Sequence, residues 1–273
     1  MKGKNDMTKI DFEKIRSPHN IIILESLSSV IPIFVSILLF ILFNLIFQSS
    51  KAGSFPQWVY VVLHTRISMI VSNNVFSAII INLISNVLWF FGIHGGQITN
   101  TVTSPIYTVF SYENLAAYNL GEQLPNIINK QFGYMYTFGG AGSTFGLVLL
   151  MTFFAKSERL RNVGKISLPL SFFFINETVL FGVPMVLNVV MLVPFIFITP
   201  FLGLLTYLAT KYQLIPYVIG VDIPWYTPLI ISGLIEGGIK LALWQILMVI
   251  LSIVLYYPFF KIQDRIYYLE ESK

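Results

Sequence analysis

Between Leu168 and Thr210 the chain runs for 43 residues with one ionisable side chain, Glu177, and is cut by Pro169, Pro184, Pro194 and Pro200. As a single helix this stretch would measure about 65 Å, twice the roughly 30 Å hydrocarbon core of a bilayer. It must fold back on itself, most simply as a re-entrant hairpin to about Asn188 followed by a full span to Thr210. A water-soluble core is excluded by the rest of the composition. Only 11% of the 273 residues are charged and 55% are hydrophobic, whereas an ordinary globular domain carries about 25% charged residues.

Around this run the other apolar segments fall into place. Ile21 to Phe47, interrupted by Glu25 and Pro32, reads as a first span. Lys51 to Ile70 mixes Trp58, Tyr60, His64 and Arg66 with apolar residues and reads as an interfacial amphipathic helix. Val75 to Gly95 is a second span, and Gly133 to Ala155 a third. Gln97 to Phe132, with Glu113, Asn114, Glu122, Asn126 and Lys130, is too polar to cross and is expected to be a re-entrant or partly buried loop. Pro228 to Gly238 supplies a second short apolar hairpin, and Ile239 to Phe260 the last span. The expected fold is an all-α polytopic membrane protein with about five transmembrane helices, two re-entrant hairpins and the interfacial helix. Residues 1–20 form a polar basic tail or connector, 21–260 the membrane domain and 261–273 a cytoplasmic tail.

The net charge of +4 is concentrated: twelve of the seventeen lysines and arginines lie in residues 1–20, 156–165 and 261–273. Such clustering marks cytoplasmic loops rather than a nucleic-acid surface. Five spans place the two ends on opposite sides, so 156–165 and 261–273 can both be cytoplasmic only with a basic N-terminus outside. The absence of cysteine excludes disulfides, thiolate metal sites and a phosphocysteine. No His, Asp or Glu spacing suits a metal, no Ser/His/Asp set is recognisable, and the glycine run 139–146 lacks the Gly-Lys-Ser/Thr of a phosphate loop. Neither cofactor nor metal is expected.

Three residues carry the candidate chemistry. Glu177 is costly within a membrane, by roughly 2.5–3.5 kcal/mol, and such groups usually face a cavity. Its carboxylate beside the Asn176 amide offers the acceptors and donors that a sugar needs; the plainer alternative is a protonated Glu satisfied by a helix end. His94 lies among Gly92, Gly95 and Gly96, where an imidazole can bond a hydroxyl and take up its proton; the alternative is an interfacial polar contact. Trp89 offers a sugar-stacking face or an interfacial anchor. Gly142 and Gly146 read as a helix-packing pair, and Glu236 and Lys240 as an i,i+4 ion pair.

Six runs together, LWFFGIHGG (88–96), AKSERLRNVGKISLP (155–169), FINETVLFGVPMVLN (174–188), VPFIFITP (193–200), IPWYTP (223–228) and YYPFFKIQD (256–264), resemble the lactose/cellobiose (chitobiose) family of phosphotransferase-system enzyme IIC sugar permeases. The resemblance implies ten spans in the bacterial plasma membrane, the first five an interface domain and the last five, with two hairpins, the sugar-binding domain. It implies a β-linked disaccharide carried inward and phosphorylated on its 6-hydroxyl by the phosphocysteine of a separate IIB component, itself supplied through IIA. His94 then corresponds to the catalytic histidine near that hydroxyl, and Asn176 and Glu177 to residues that hold the sugar. The five spans map onto the second half, whose N-terminus lies outside; a complementing N-terminal half or a second copy would be a further partner. Thr178 and Val189 stand where the family usually has proline. The alternatives are a non-transporting scaffold or regulatory homologue and an ion-coupled permease that works without IIB.

Overall fold

The computed structural model describes residues 30, 32–42, 45, 71 and 73–272. The expected tail at 1–20 and interfacial helix at 51–70 lie outside the described residues, as does most of the first span. The chain divides into two compact units, Met1–Thr65 and Arg66–Lys273. In the first, α1 (Pro32–Leu42) is an apolar helix.

All regular structure described in the second unit is helical. Helix α2 (Val75–Phe90) starts where the Asn74 side chain accepts the Ser77 N–H, and it stops at a turn through Gly92, whose φ is 79°. Helix α3 (Gly95–Leu120) follows at once, ending in left-handed Gly121. This corrects the loop expected over 97–132 as far as Leu120, while 121–131 is an irregular, partly buried segment as expected. The polar residues that argued against a helix are spent on neighbouring backbone: the buried Asn114 amide donates to the carbonyls of Asn126 and Val218, and its own oxygen takes the Asn126 N–H. Irregular backbone at membrane depth needs such partners, and α3 supplies them.

The third expected span is also shorter than its apolar length suggests. Two 3₁₀ turns, Phe132–Met135 and Ala141–Ser143, precede α4 (Phe145–Phe154). Glycines 139, 140 and 142 all have positive φ, which breaks a helix before it can form. Three successive carbonyls of this break are held by side chains distant in sequence: Ala141 by Asn176, and Gly142 and Ser143 by two residues of the last helix, the buried Tyr256 hydroxyl at 2.6 Å and Ser252. Gly142 is therefore a turn residue. Gly146, the second residue of α4, faces the last helix, where a Cβ would meet the backbone nitrogen of Ile253 at 2.6 Å.

The basic segment 156–165 is the first part of a helix, α5 (Glu158–Ser171), capped by Ser157. A sharp turn leads to the short α6 (Glu177–Gly182), so that α5 and α6 form the expected hairpin. Helix α7 (Val189–Lys211) follows, long and apolar enough to cross a membrane, its N-terminus capped by Asn188. Pro200 removes the N–H that would have bonded the Ile196 carbonyl. The buried Asn86 of α2 donates to that carbonyl and to Phe195, fixing α2 against α7.

After α7 the chain is irregular until α8 (Ile231–Glu271), which breaks at Gly237 and Gly238. The piece before the break is the second hairpin's helix, and the piece after it is the last span. The break also cancels the expected Glu236–Lys240 pair, because the two residues no longer share one helical turn. Glu236 is instead buried and accepts the Gly220 N–H at 2.8 Å. Among the described residues, α7 and α8 are the two helices long and apolar enough to cross a membrane, with Pro32–Leu42, Val75–Phe90 and Ala141–Phe154 as shorter apolar helices.

Candidate functional site

The turn of the first hairpin is drawn tight by Ile175 N–H bonding back to Leu170 O and by Phe174 adopting φ 63°. Its tip meets the second hairpin: Leu229 N–H donates to Phe172 O at 3.3 Å. Two residues support the junction. Tyr134 places its ring 5.8 Å from that of Phe174. Gln245, fully buried in the last span, accepts the Ile230 N–H and donates to Tyr134 O and the Ser232 hydroxyl. Every polar atom of this amide is used, so the second hairpin is set by α8.

Asn176 and Glu177 follow the tip directly and behave differently. Asn176 is buried, and its amide donates to Ala141 O at 2.8 Å and to the Thr144 hydroxyl at 3.3 Å. The NH₂ group is thus committed to the fold, leaving Oδ1 as the atom able to face a ligand. Glu177 occupies the first turn of α6 and is exposed, where a carboxylate suits the N-terminal end of a helix. It makes no hydrogen bond or ion pair within the described residues. Three nearby hydroxyls of the hairpin, Ser167, Ser171 and Thr178, are buried without a partner among them; Thr178 stands where a proline was expected.

His94 caps α3. Its Nδ1 accepts the Gln97 N–H at 3.1 Å, and its ring stands 4.2 Å from that of buried Trp89. Trp89 is therefore a support beneath the imidazole rather than an interfacial anchor. Since Nδ1 is an acceptor here, the neutral ring carries its proton on Nε2. The exposed edge of His94 is thus a donor, suited to holding a hydroxyl oxygen; accepting that hydroxyl's proton requires the cap to open. Gly95 is needed for this arrangement, because a Cβ there would fall 2.0 Å from Ser85 O.

No hydrogen bond joins His94 to Asn176 or Glu177. The His94 turn instead touches the exit of the first hairpin: Leu187 N–H donates to Phe90 O at 3.1 Å, and a Cβ on Gly92 would lie 3.6 Å from Val186. The structure thus brings Asn176 and Glu177 to the joined tips and sets His94 against the other end of the same hairpin. Sequence reading missed Gln245, Tyr256 and Asn114, the side chains that fix these parts. Their signal was present, since each is a hydrogen-bonding group inside an apolar or helical stretch.

The hairpin's base is tied to the end of α8. Asp264 accepts the N–H groups of Lys156 and Ser157, and Glu271 accepts the Ser157 hydroxyl and the N–H groups of Glu158 and Arg159. The Ser157 hydroxyl, then the Arg159 N–H, hold the Glu271 carboxyl below the usual carboxylate range. Arg159 lies 4.3 Å over the ring of Tyr267.

The family described as "Phosphotransferase system, EIIC" matches residues 13–199. The oligo-beta-mannoside-specific EIIC component of Bacillus subtilis (strain 168) is 32% identical over 256 residues, covering 91% of this chain and 57% of that protein. The cellobiose-specific EIIC component of Geobacillus stearothermophilus is 33% identical over 227 residues, covering 81% and 50%. Among solved structures, the transporter ChbC, the IIC component of an N,N'-diacetylchitobiose-specific phosphotransferase system, matches with a TM-score of 0.73 at 34% identity, over 90% of this chain and 58% of that one. The chain spans about half the length of the curated relatives it matches.

Proposed function

The chain belongs to the phosphotransferase-system EIIC family, and from this premise we propose that it is the sugar-holding part of a permease for a β-linked disaccharide, working with a IIB phosphoryl donor. The observation that carries the reading is the junction of the two hairpin tips, with exposed Glu177 starting the helix beside it. In this reading Glu177 accepts hydrogen bonds from the sugar hydroxyls and Asn176 contributes Oδ1 as a further acceptor. His94 donates from Nε2 to the hydroxyl that receives the phosphoryl group. The phosphoryl transfer itself needs a donor, and this chain has no cysteine to carry one.

Substrate class, partner and the five-span membrane topology all belong to this proposal. The sugars in the names of the relatives, oligo-β-mannoside, cellobiose and diacetylchitobiose, make β-linked disaccharides the first candidates. A complementing N-terminal half or a second copy would supply the remaining length of such a permease.

The test is binding of radiolabelled cellobiose, diacetylchitobiose and lactose to the purified chain in detergent, with Glu177→Gln and His94→Ala beside it. Saturable binding that Glu177→Gln abolishes supports the reading. A folded wild-type chain that binds none of these sugars, alone or with a complementing N-terminal half, overturns it.

A further inference from the structure

At the end of α7 away from Asn188, a cavity of about 700 Å³ opens between three segments. This volume is within the range of about 300–1,000 Å³ for small-molecule sites. Its walls are the exit of α3 (Tyr118, Gln123), the irregular segment after α7 (Gln213, Pro216, Tyr217) and the break in α8 with Lys240 behind it.

The framework of this cavity and its lining differ sharply in how their polar groups are used. The framework is bonded apart from Glu236 Oε1, which is buried without a hydrogen-bond partner among the described residues. Val218 O receives the amides of Asn114 and Asn129, and Glu236 receives Gly220 N–H on its carboxylate and Ile219 N–H on its main-chain oxygen. Gly220 sits so close to α3 that a Cβ would meet Ser111 O at 2.5 Å. The three walls are therefore fixed to one another. The lining is free: the side chains of Tyr118, Gln123, Gln213, Tyr217 and Lys240 make no hydrogen bond or ion pair among the described residues. At Gly238 the left-handed turn (φ 71°) leaves open space where a side chain would stand, so backbone as well as side chains faces the opening.

The lining chemistry narrows the ligand. Two phenols, two amides and one ammonium offer both donors and acceptors, and aliphatic side chains and Pro216 provide apolar faces. No carboxylate lines the cavity, which disfavours a cation, and a single lysine is a weak receptor for a polyanion. A neutral polyhydroxylated molecule with apolar ring faces fits this mixture.

Position gives the cavity a role. Asn188, at the start of α7, bonds to Gln263 near the end of α8, so these helices run antiparallel and the cavity lies at the opposite end from Lys156, Lys165, Lys261 and Arg265. The positive-inside rule turns that basic end to the cytoplasm and leaves the cavity on the outer side. We propose that this cavity is a second saccharide site, on the outer face, which holds the sugar before it reaches the hairpin tips. The proposal rests on the sugar-permease reading above.

The test uses the absence of cysteine in the chain. Gln213→Cys places a unique thiol at the rim, and its rate of labelling by a charged maleimide is measured in the full chain with and without cellobiose or diacetylchitobiose. An occupied cavity slows labelling by about ten-fold when sugar is about ten times its dissociation constant. The protection must persist when Glu177→Gln is added and be lost when Tyr217→Ala is added. Unfolding in the Tyr217 variant is controlled by Lys240→Ala, an exposed change that should weaken protection without altering the melting temperature. Unchanged labelling at saturating sugar overturns the site; if Glu177-dependent binding is seen in the same sample, the permease reading stands without it. Protection by an anionic lipid but by no sugar also overturns it, as does protection that vanishes with Glu177→Gln, which would report the hairpin site at a distance.

Discussion

Asn176→Asp separates a side chain that holds the fold from one that merely touches sugar. In the wild type the Asn176 NH₂ donates to Ala141 O and to the Thr144 hydroxyl, in a site where the residue is 4% exposed. The carboxylate that replaces it has no proton to give and faces the Ala141 carbonyl at about the same distance. Two hydrogen bonds are lost at roughly 0.5–1.5 kcal/mol each, and leaving the buried carbonyl unpaired adds about 1–3 kcal/mol, for a total of about 2–6 kcal/mol. A domain of this size should then melt roughly 10 °C lower. The assay is thermal unfolding of the purified chain in detergent followed by tryptophan fluorescence, with sugar binding measured well below the melting range. Thr144→Ala, which deletes the longer bond together with the Thr144 hydroxyl's own bond to Gly139 O, should cost about 1–3 kcal/mol. If Asn176→Asp melts within about 2 °C of wild type yet loses sugar binding, the amide is only a ligand group and the clamp across residues 141–144 carries no weight.

Gly95→Ala drives a Cβ into Ser85 O at the crossing of α2 and α3, where only backbone can move, and should lower stability by about 3 kcal/mol or more in the same melt. Trp244→Phe removes the indole bond to the Thr206 hydroxyl between α7 and α8 and should cost about 1 kcal/mol while leaving sugar binding unchanged. Glu271 gives a pH signature: its folded carboxyl titrates below the unfolded value of about 4.3, so its bonds stabilise the chain above that pH and are lost as pH falls through the folded value. Wild type should therefore show a drop in melting temperature below about pH 4 that Glu271→Gln lacks; identical profiles would mean the carboxylate adds nothing. Asp264→Ala frees the N–H groups of Lys156 and Ser157 and should open the base of the first hairpin to trypsin at Lys156 and Arg159.

The apolar run from Leu168 to Thr210, with its lone carboxylate and its prolines, determined by itself that this chain is a helical membrane protein whose backbone folds back at that point, because bilayer thickness limits a helix to about 20 residues. The composition and the motifs around His94 and Asn176–Glu177 determined the family in the same way. Local pattern did not reveal what each polar residue is for. The polar stretch 97–132 looked like a loop, but its Asn114 and Asn129 serve the Val218 carbonyl about a hundred residues away, so α3 could be recognised only with Val218 in place. Glu236 and Lys240 satisfied a helical spacing that two glycines abolish. Nor could spacing show that Asn176 spends its donors on a glycine turn, or that the Nδ1 of His94 is occupied by its own helix. Hydrogen-bond partners distant in sequence are chosen by packing, and only the tertiary structure decided which polar groups are spent on the fold and which are left free.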